Sequence, residues 1–305
     1  MDSLDRAIND AKTLRCIAVL STEAVREACR RQDLRGIEAI ALGRAMTCAS
    51  LLGTLAKQDR ERVRILITGS GALGRVIVDA HGDGRLRGCL ETRIDPEPAD
   101  ARDWDPTRRR VALHAVVGDR GHLVVTRDLG LGHPYQGTVP LSSGEIDLDL
   151  QDYLTASEQL PSALCADVLL DSEGQIFRSA GVLIQTFPGS EKSLIDHVRK
   201  RLTGDALGNV LADDPSPPKL IDLALGGEHA EVLETQGLRF HCGCGPKNTL
   251  RVLSALGIQD LLRLAGEQAE TVVSCHFCAT DNTVTAAELR ELAGRLRKQE
   301  QEEQP

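Results

Sequence analysis

Four of the chain's nine cysteines stand in two tight pairs near its C-terminus, Cys242-x-Cys244 and Cys275-x-x-Cys278, with thirty residues between the pairs. Two close thiol pairs joined by a loop can each bring two sulfurs to about 2.3 Å from one ion, and Zn2+ is the usual occupant of such a tetrahedral site. The residues around these pairs must therefore fold back on themselves. Gly243 and Gly245 relieve the backbone where it has to turn N–H groups toward sulfur. Once a metal leaves, the same sulfurs are placed to form two local disulfides. A Cys-x-Cys disulfide closes a small strained ring that is readily reduced, which suits a reversible switch better than a permanent staple. On spacing alone the plainer reading, an inert zinc ribbon that holds a small fold together, stays open beside it.

Aromatic residues make up 2% of the 305-residue chain, so its core must rest on Leu, Val, Ile and Ala. A short C-terminal unit of this composition buries little without a metal. Zinc contributes roughly 10–16 kcal/mol to such folds, and its removal should unfold the unit. The formal net charge of −9 argues against wide contact with nucleic-acid backbone. The opening MDSLDRAINDAK has no apolar stretch of a signal peptide. The uncharged run Ala45 to Ala56 is too short to span a bilayer. The expectation is a cytoplasmic protein with no membrane or nucleic-acid partner, in a compartment where clustered cysteines mean metal or redox chemistry.

The expected fold class is α+β: an antiparallel-rich sheet with packed helices over residues 1–187, a helical connector over 188–237, a four-cysteine unit over 238–296, and a polar, disordered tail over 297–305. Ser21-Thr22 should cap a helix through EAVREACRR, and Ile37 to Ala56 should form a longer, largely buried one. Val63–Thr68 and Arg75–Ala80 read as strands, and HGDG at His81 to Gly84 as the turn into RLRGCLE. A second hairpin is expected from Val111–Val117 to His122–Asp128. Ser142-x-x-Glu145 reads as a capping box for a helix to about Gln159, followed by strands Ala163–Leu170 and Ile176–Thr186. In the connector, Leu194, Ile195, Val198 and Leu202 share one helical face with too few large neighbours for a core of their own, so this segment should lie weakly against something else. The last unit should hold helices at Thr249–Leu256 and Gln259–Ala265, a strand at Thr271–Cys275 and a helix opening at Thr285.

Other motifs read as structural. Gly69-x-Gly71-x-x-Gly74 follows a strand, but the segment after it reads as another strand and not as the helix that dinucleotide binding needs. His241 and His276 flank the cysteines, where four thiolates already complete a shell. Cys16, Cys29, Cys48, Cys89 and Cys165 stand alone in helix or strand patterns and read as buried, inert thiols. No Ser/His/Asp grouping, P-loop or His-Glu-x-x-His occurs, so no enzyme active site is expected. A thiol-disulfide oxidoreductase built on Cys275-x-x-Cys278 lacks the βαβ setting of that chemistry.

RFHCGCG and SCHFC, thirty residues apart between their cysteine pairs, resemble the metal motif of the heat-shock protein 33 family of redox-regulated chaperones. Val125 to Leu164 closely resembles that family's most characteristic stretch, and Gly71–Gly88 and Ala180–Gly189 are similar to it as well. The resemblance implies a cytoplasmic holdase and not an enzyme. It implies one Zn2+ per chain in the reduced form, held by Cys242, Cys244, Cys275 and Cys278. Peroxide or hypochlorous acid, together with unfolding stress, would then join Cys242 with Cys244 and Cys275 with Cys278 and release the zinc. The metal unit would unfold, the connector loosen and homodimers form. Unfolding client proteins would be held until an ATP-driven foldase takes over. His276 stands where the family often has an acid, Lys247-Asn248 where an acidic-basic pair is common, and Asn282 where an aromatic is frequent. These departures leave the ligands intact and bear on the oxidation threshold and packing of the unit. The competing expectation is a constitutive zinc-ribbon module that contacts protein or nucleic acid without redox switching.

Overall fold

A computed structural model of the chain describes residues 1–55, 60–91, 110–191 and 193–302. Ala56 of the expected long helix and Lys192 of the connector lie outside these. The chain forms two compact units, Met1–His241 and Cys242–Pro305. The fold is α+β, as expected.

In the first unit, β1 (Ser3–Asn9), β2 (Leu14–Leu20), β8 (Ser162–Leu170), β9 (Ile176–Thr186) and β10 (Ala230–Gly237) form one sheet in the order β10-β1-β2-β9-β8. A second sheet has the order β11-β5-β4-β3-β6-β7. Its strands are β3 (Arg62–Gly69), β4 (Arg75–His81), β5 (Arg85–Leu90), β6 (Gly121–Asp128), β7 (Tyr135–Pro140) and β11 (Arg239–Phe240). All pairings are antiparallel except that of β11 with β5. Helix α2 (Gly36–Gly53) packs against strands of both sheets. Its only charged residues are Glu38 and Arg44, and a helix apolar on all sides has to be enclosed. Gly43 permits the close approach, because a Cβ there would meet Val168 Cγ2 at 2.8 Å. Arg44 is fully buried and binds Asp167 Oδ1 at 2.7 Å and Glu145 Oε2 at 3.2 Å.

Several local expectations need correction. Helix α1 (Thr22–Gln32) forms, but Ser21 does not cap it, because its hydroxyl is drawn inward to Thr47 Oγ1 and Ser179 Oγ. The cap comes from Asp2, whose carboxylate accepts from the N–H groups of Glu23 and Ala24 at 3.0 and 2.7 Å. The hairpin expected from Val111 does not form. His114–Val117 is a short helix, α3, and the carbonyls of Val116 and Val117 accept from Leu73 N and Gly71 N. β6 pairs instead with β3 and β7. The glycine motif is the turn that meets this helix, and a Cβ at Gly69 would fall 1.9 Å from Val117 O. Helix α4 (Ile146–Ala156) begins without the expected capping box. Asp149 gathers the N–H groups of Ser142, Ser143 and Gly144, which removes Ser142 from the helix start.

The connector carries α5 (Ser193–Arg201), α6 (Ala206–Ala212) and α7 (Pro217–Leu225). It lies against something else, as expected: Ile195, Val198, Leu202, Leu207, Leu211 and Leu220 cover a sheet face built from Ala7, Cys16, Ala18, Ala163, Cys165 and Val182. It is not helical to its end, since residues 230–237 form strand β10 on the edge of β1. Thr235 Oγ1 there donates to Asp5 Oδ1 at 2.7 Å. An edge strand exposed along most of its length has no period-two apolar pattern to announce it.

The second unit contains α8 (Pro246–Leu253), a 3-10 turn at Ser254–Leu256, α9 (Ile258–Glu267), the hairpin β12 (Glu270–Ser274) and β13 (Asp281–Thr285), and α10 (Ala286–Glu302). Thr285 opens α10 through a reciprocal capping box: its N–H donates to Glu288 Oε2 at 2.8 Å, and Glu288 N–H donates to Thr285 Oγ1 at 3.3 Å. Residues 297–302, expected as disordered tail, continue this helix, and 303–305 lie outside the described residues. The core is small: Leu253, Leu261, Ala265, Val284, Leu289, Leu292 and Ala293.

Candidate metal centre

Two short backbone devices build the cysteine site. The β12–β13 hairpin closes with Cys275 N–H donating to Thr280 O at 3.0 Å and Ala279 N–H to Cys275 O at 2.8 Å, and Ala279 takes a left-handed φ of 52°. This knuckle also turns the N–H groups of Phe277 and Cys278 toward the Cys275 sulfur. The other arm, residues 242–245, leads into α8. Thr249 N–H and Oγ1 both donate to Gly245 O, and Asn248 Nδ2 donates to Gly243 O. Asn248, one of the departures from the family pattern, thus ties down the loop between two of the cysteines.

All four sulfurs lie within 4.8 Å of one another. Cys242 Sγ is 3.6 Å from Cys275 Sγ, and Cys244 Sγ is 3.1 Å from Cys278 Sγ. A tetrahedron with metal–sulfur distances of about 2.3 Å has edges of about 3.8 Å, and sulfurs this close together could hold one metal ion. None of the four is joined in a disulfide, whose S–S distance would be about 2.05 Å. The donor set is entirely thiolate, which favours zinc among the common ions. Among the described residues, the group comprises the cysteines alone. His241 and His276 are exposed and are not part of it.

The four sulfurs are not equivalent. Burial opposes ionisation of Cys278, but hydrogen bonds with Thr280 and with the Cys244 and Cys275 sulfurs outweigh it and pull this thiol down to about 7. Burial pushes Cys244 up, and sharing a proton with the Cys278 and Cys242 sulfurs pushes it further. Cys275 is raised by burial despite two backbone donors. A set in which one sulfur loses its proton more readily than an ordinary thiol and the rest are held close can bind a soft cation or begin disulfide chemistry. Thr280, which tunes the site, carried no signal in the sequence, because a threonine in a loop does not mark a thiol neighbour, and Asn248 stood out only as a departure from the family pattern.

The five remaining cysteines are all buried, as read from their patterns. Burial pushes Cys29 and Cys165 up to about 12 and Cys16 and Cys48 well above their ordinary value. Among the described residues, no helix is long and apolar enough to cross a membrane.

A family model described as Hsp33 protein matches residues 2–285. The chain is 34% identical over 296 residues to a 33 kDa chaperonin of Geobacter sulfurreducens, covering 97% of this chain and 96% of that one. It is 33% identical over 282 residues to a 33 kDa chaperonin of Shouchella clausii, covering 92% of each. Among solved structures, the crystal structure of the 33 kDa chaperonin (heat shock protein 33 homolog) of Thermotoga maritima matches with a TM-score of 0.83 and 26% identity, over 97% of this chain and 99% of that one.

Proposed function

The chain belongs to the Hsp33 protein family, and from that premise we propose that it is a redox-regulated holdase whose switch is the four-cysteine unit. In the reduced form, Cys242, Cys244, Cys275 and Cys278 hold one Zn2+ per chain. When bound, the ion cross-links the two arms and contributes folding free energy, roughly 10–16 kcal/mol for structural sites of this kind. Peroxide, or hypochlorous acid, takes two electrons from each of two thiolate pairs, joining Cys242 to Cys244 and Cys275 to Cys278, while solvent supplies the protons of the water formed and the zinc is released. Two molecules of peroxide are reduced to water in the process.

With its thiolates consumed, the unit spanning 238–296 loses its cross-link. The connector, taken as 188–237, then leaves the sheet face of the core, taken as 1–187. That face is apolar (Ala7, Cys16, Ala18, Ala163, Cys165, Val182), which is what a holdase offers to an unfolding client. Homodimerisation of the opened form, transfer of clients to an ATP-driven foldase and a cytoplasmic setting complete the proposal.

The convergence of four sulfurs within 4.8 Å in a unit with so small a core carries this reading. The test measures zinc content and suppression of client aggregation in one sample, before and after peroxide at elevated temperature. The expected result is release of one zinc per chain together with onset of protection. Fully oxidised, zinc-free protein that leaves clients to aggregate refutes it. A constitutive zinc-ribbon module gives the opposite sign, with metal-dependent binding that oxidant abolishes.

A further inference from the structure

A groove of about 430 Å3 runs between α8 and α10 of the second unit. Lys247, Leu250 and Arg251 line it from the one helix, and Leu292, Arg295 and Leu296 from the other. Each set has the i, i+3, i+4 spacing that keeps side chains on one helical face. Leu292 belongs to the buried core of the unit, and Leu250 and Leu296 pack half-buried against it, so the floor of the groove is one side of that core. The rim is cationic. Lys247, Arg251 and Arg295 are exposed, no acidic residue lines the groove, and among the described residues none of the three has an ion-pair partner.

Lys247 precedes Arg251 by four positions, and like charges at that spacing destabilise a helix. A local conflict with no compensating contact inside the chain marks a surface shaped by something outside it. In a chain of net charge −9, three free cations around an apolar floor are a local reversal of sign. The complementary object is a third helix, with leucines or isoleucines on one face and glutamates or aspartates along the edges of that face. A nucleic-acid backbone would neutralise the cations but leave Leu250, Leu292 and Leu296 without partners. We propose that the groove between α8 and α10 docks an acidic amphipathic helix of a partner protein, and that the docked helix delays release of the metal. Helix α8 has eight residues, about 12 Å, which seats two to three turns of such a partner. The delay follows from linkage: both walls belong to the folded unit, so a ligand that needs both favours the folded form. Docking stands on the groove alone, whereas the delay rests on the proposed function, in which the metal leaves as this unit unfolds.

The probe is a labelled helical peptide with leucines at i, i+3, i+4 and i+7 and glutamates beside them, titrated with the full, reduced, zinc-loaded chain. One control peptide replaces the glutamates by lysines, and another is polyglutamate of equal charge. The acidic amphipathic peptide is expected to bind at least about tenfold more tightly than either control. Arg251→Glu with Arg295→Glu, both at exposed positions, should invert the preference towards the lysine peptide, with zinc content showing that the unit still folds. At about ten times its Kd, the acidic peptide should slow peroxide-driven zinc release about tenfold. Equal binding of polyglutamate, indifference to the charge reversal, or displacement of the peptide by an RNA oligonucleotide at equal concentration overturns the docking. Docking with zinc release unchanged overturns the delay, and with it the reading that unfolding of this unit frees the metal, while the groove stands.

Discussion

Cys244 Sγ stands 3.1 Å from Cys278 Sγ, a partner 34 positions along the chain, so the site joins the two arms of the second unit through sulfur. Cys278→Ser leaves three thiolates and a hydroxyl that is a poor zinc ligand. If roughly 10–16 kcal/mol of structural-site binding is shared among four ligands, the loss is about 3–4 kcal/mol, or on the order of 10^2 to 10^3 in affinity. Chelator competition reads that change directly. Cys275→Ser with Cys278→Ser should go further, giving a metal-poor chain with partial client protection in the absence of oxidant.

Polar bonds fasten the connector in addition to its apolar face. Arg178 on β9 extends Nη1 to Leu211 O at 2.9 Å and also to Asp213 O, tying the end of α6 to the sheet. Arg178→Ala removes charge-assisted bonds at a partly exposed position, worth about 1–2 kcal/mol. Proteolysis within 203–217 should quicken severalfold, and the oxidant dose for half-maximal protection should fall. Hydrogen exchange of β9 should not change. An unaltered dose would mean that release of the connector does not set the threshold.

These fastenings mark where the sequence stopped being readable. The four cysteines were legible because each pair is local and sulfur at such spacing has few other uses. The long helix α2 was legible because eighteen residues with two charges leave little choice. Asp2 capping α1 was not, since acceptor and donors are separated by the whole β1–β2 hairpin. Nor was the fate of Val111–Val117. A β-branched run invites a strand, yet the carbonyls of Val116 and Val117 are spent on the glycine turn at Gly71–Leu73. The Ser142–Glu145 capping box failed for a similar reason, because Asp149 outcompeted the helix start for Ser142. In each case a polar partner outside the local pattern overrode a sound local signal.

Asp79 gives the core a pH dependence of known sign. Arg64 reaches it from β3 at 2.7 and 2.9 Å, and Arg87 from β5 at 2.7 and 3.0 Å, while the carboxylate itself is fully buried. Burial opposes its ionisation, but the bonds from Arg64 and Arg87 outweigh this and hold its pKa below the usual carboxylate value. A depressed folded pKa contributes stability that is present above the unfolded value of about 3.9 and lost as pH falls through the folded one. Asp79→Asn should cost about 2–4 kcal/mol near neutrality, because two guanidinium groups lose their counter-charge. Thermal unfolding from pH 5 to 2 should show a steeper fall for the wild type than for the variant. Parallel curves would remove Asp79 from the account.

The sharpest consequence concerns which half of the molecule the metal supports. Seven buried apolar residues make the core of the second unit, two of them alanine, while α9 and α10 leave most of their surface in water. The first unit encloses α2 between two sheets and has two apolar clusters of its own. Withdrawal of a cross-link must therefore fall on the second unit. Chelation of reduced protein, followed by pairing of its thiols, should abolish amide-exchange protection from Pro246 to Glu302, with β3, β4 and β9 retaining theirs. The connector should lose protection next, in α5 to α7, since it has only one face to bury. If Leu261 and Leu289 keep protected amides after the ion is gone and the sulfurs are paired, apolar packing alone holds the unit. The four cysteines would then be a staple and not a switch.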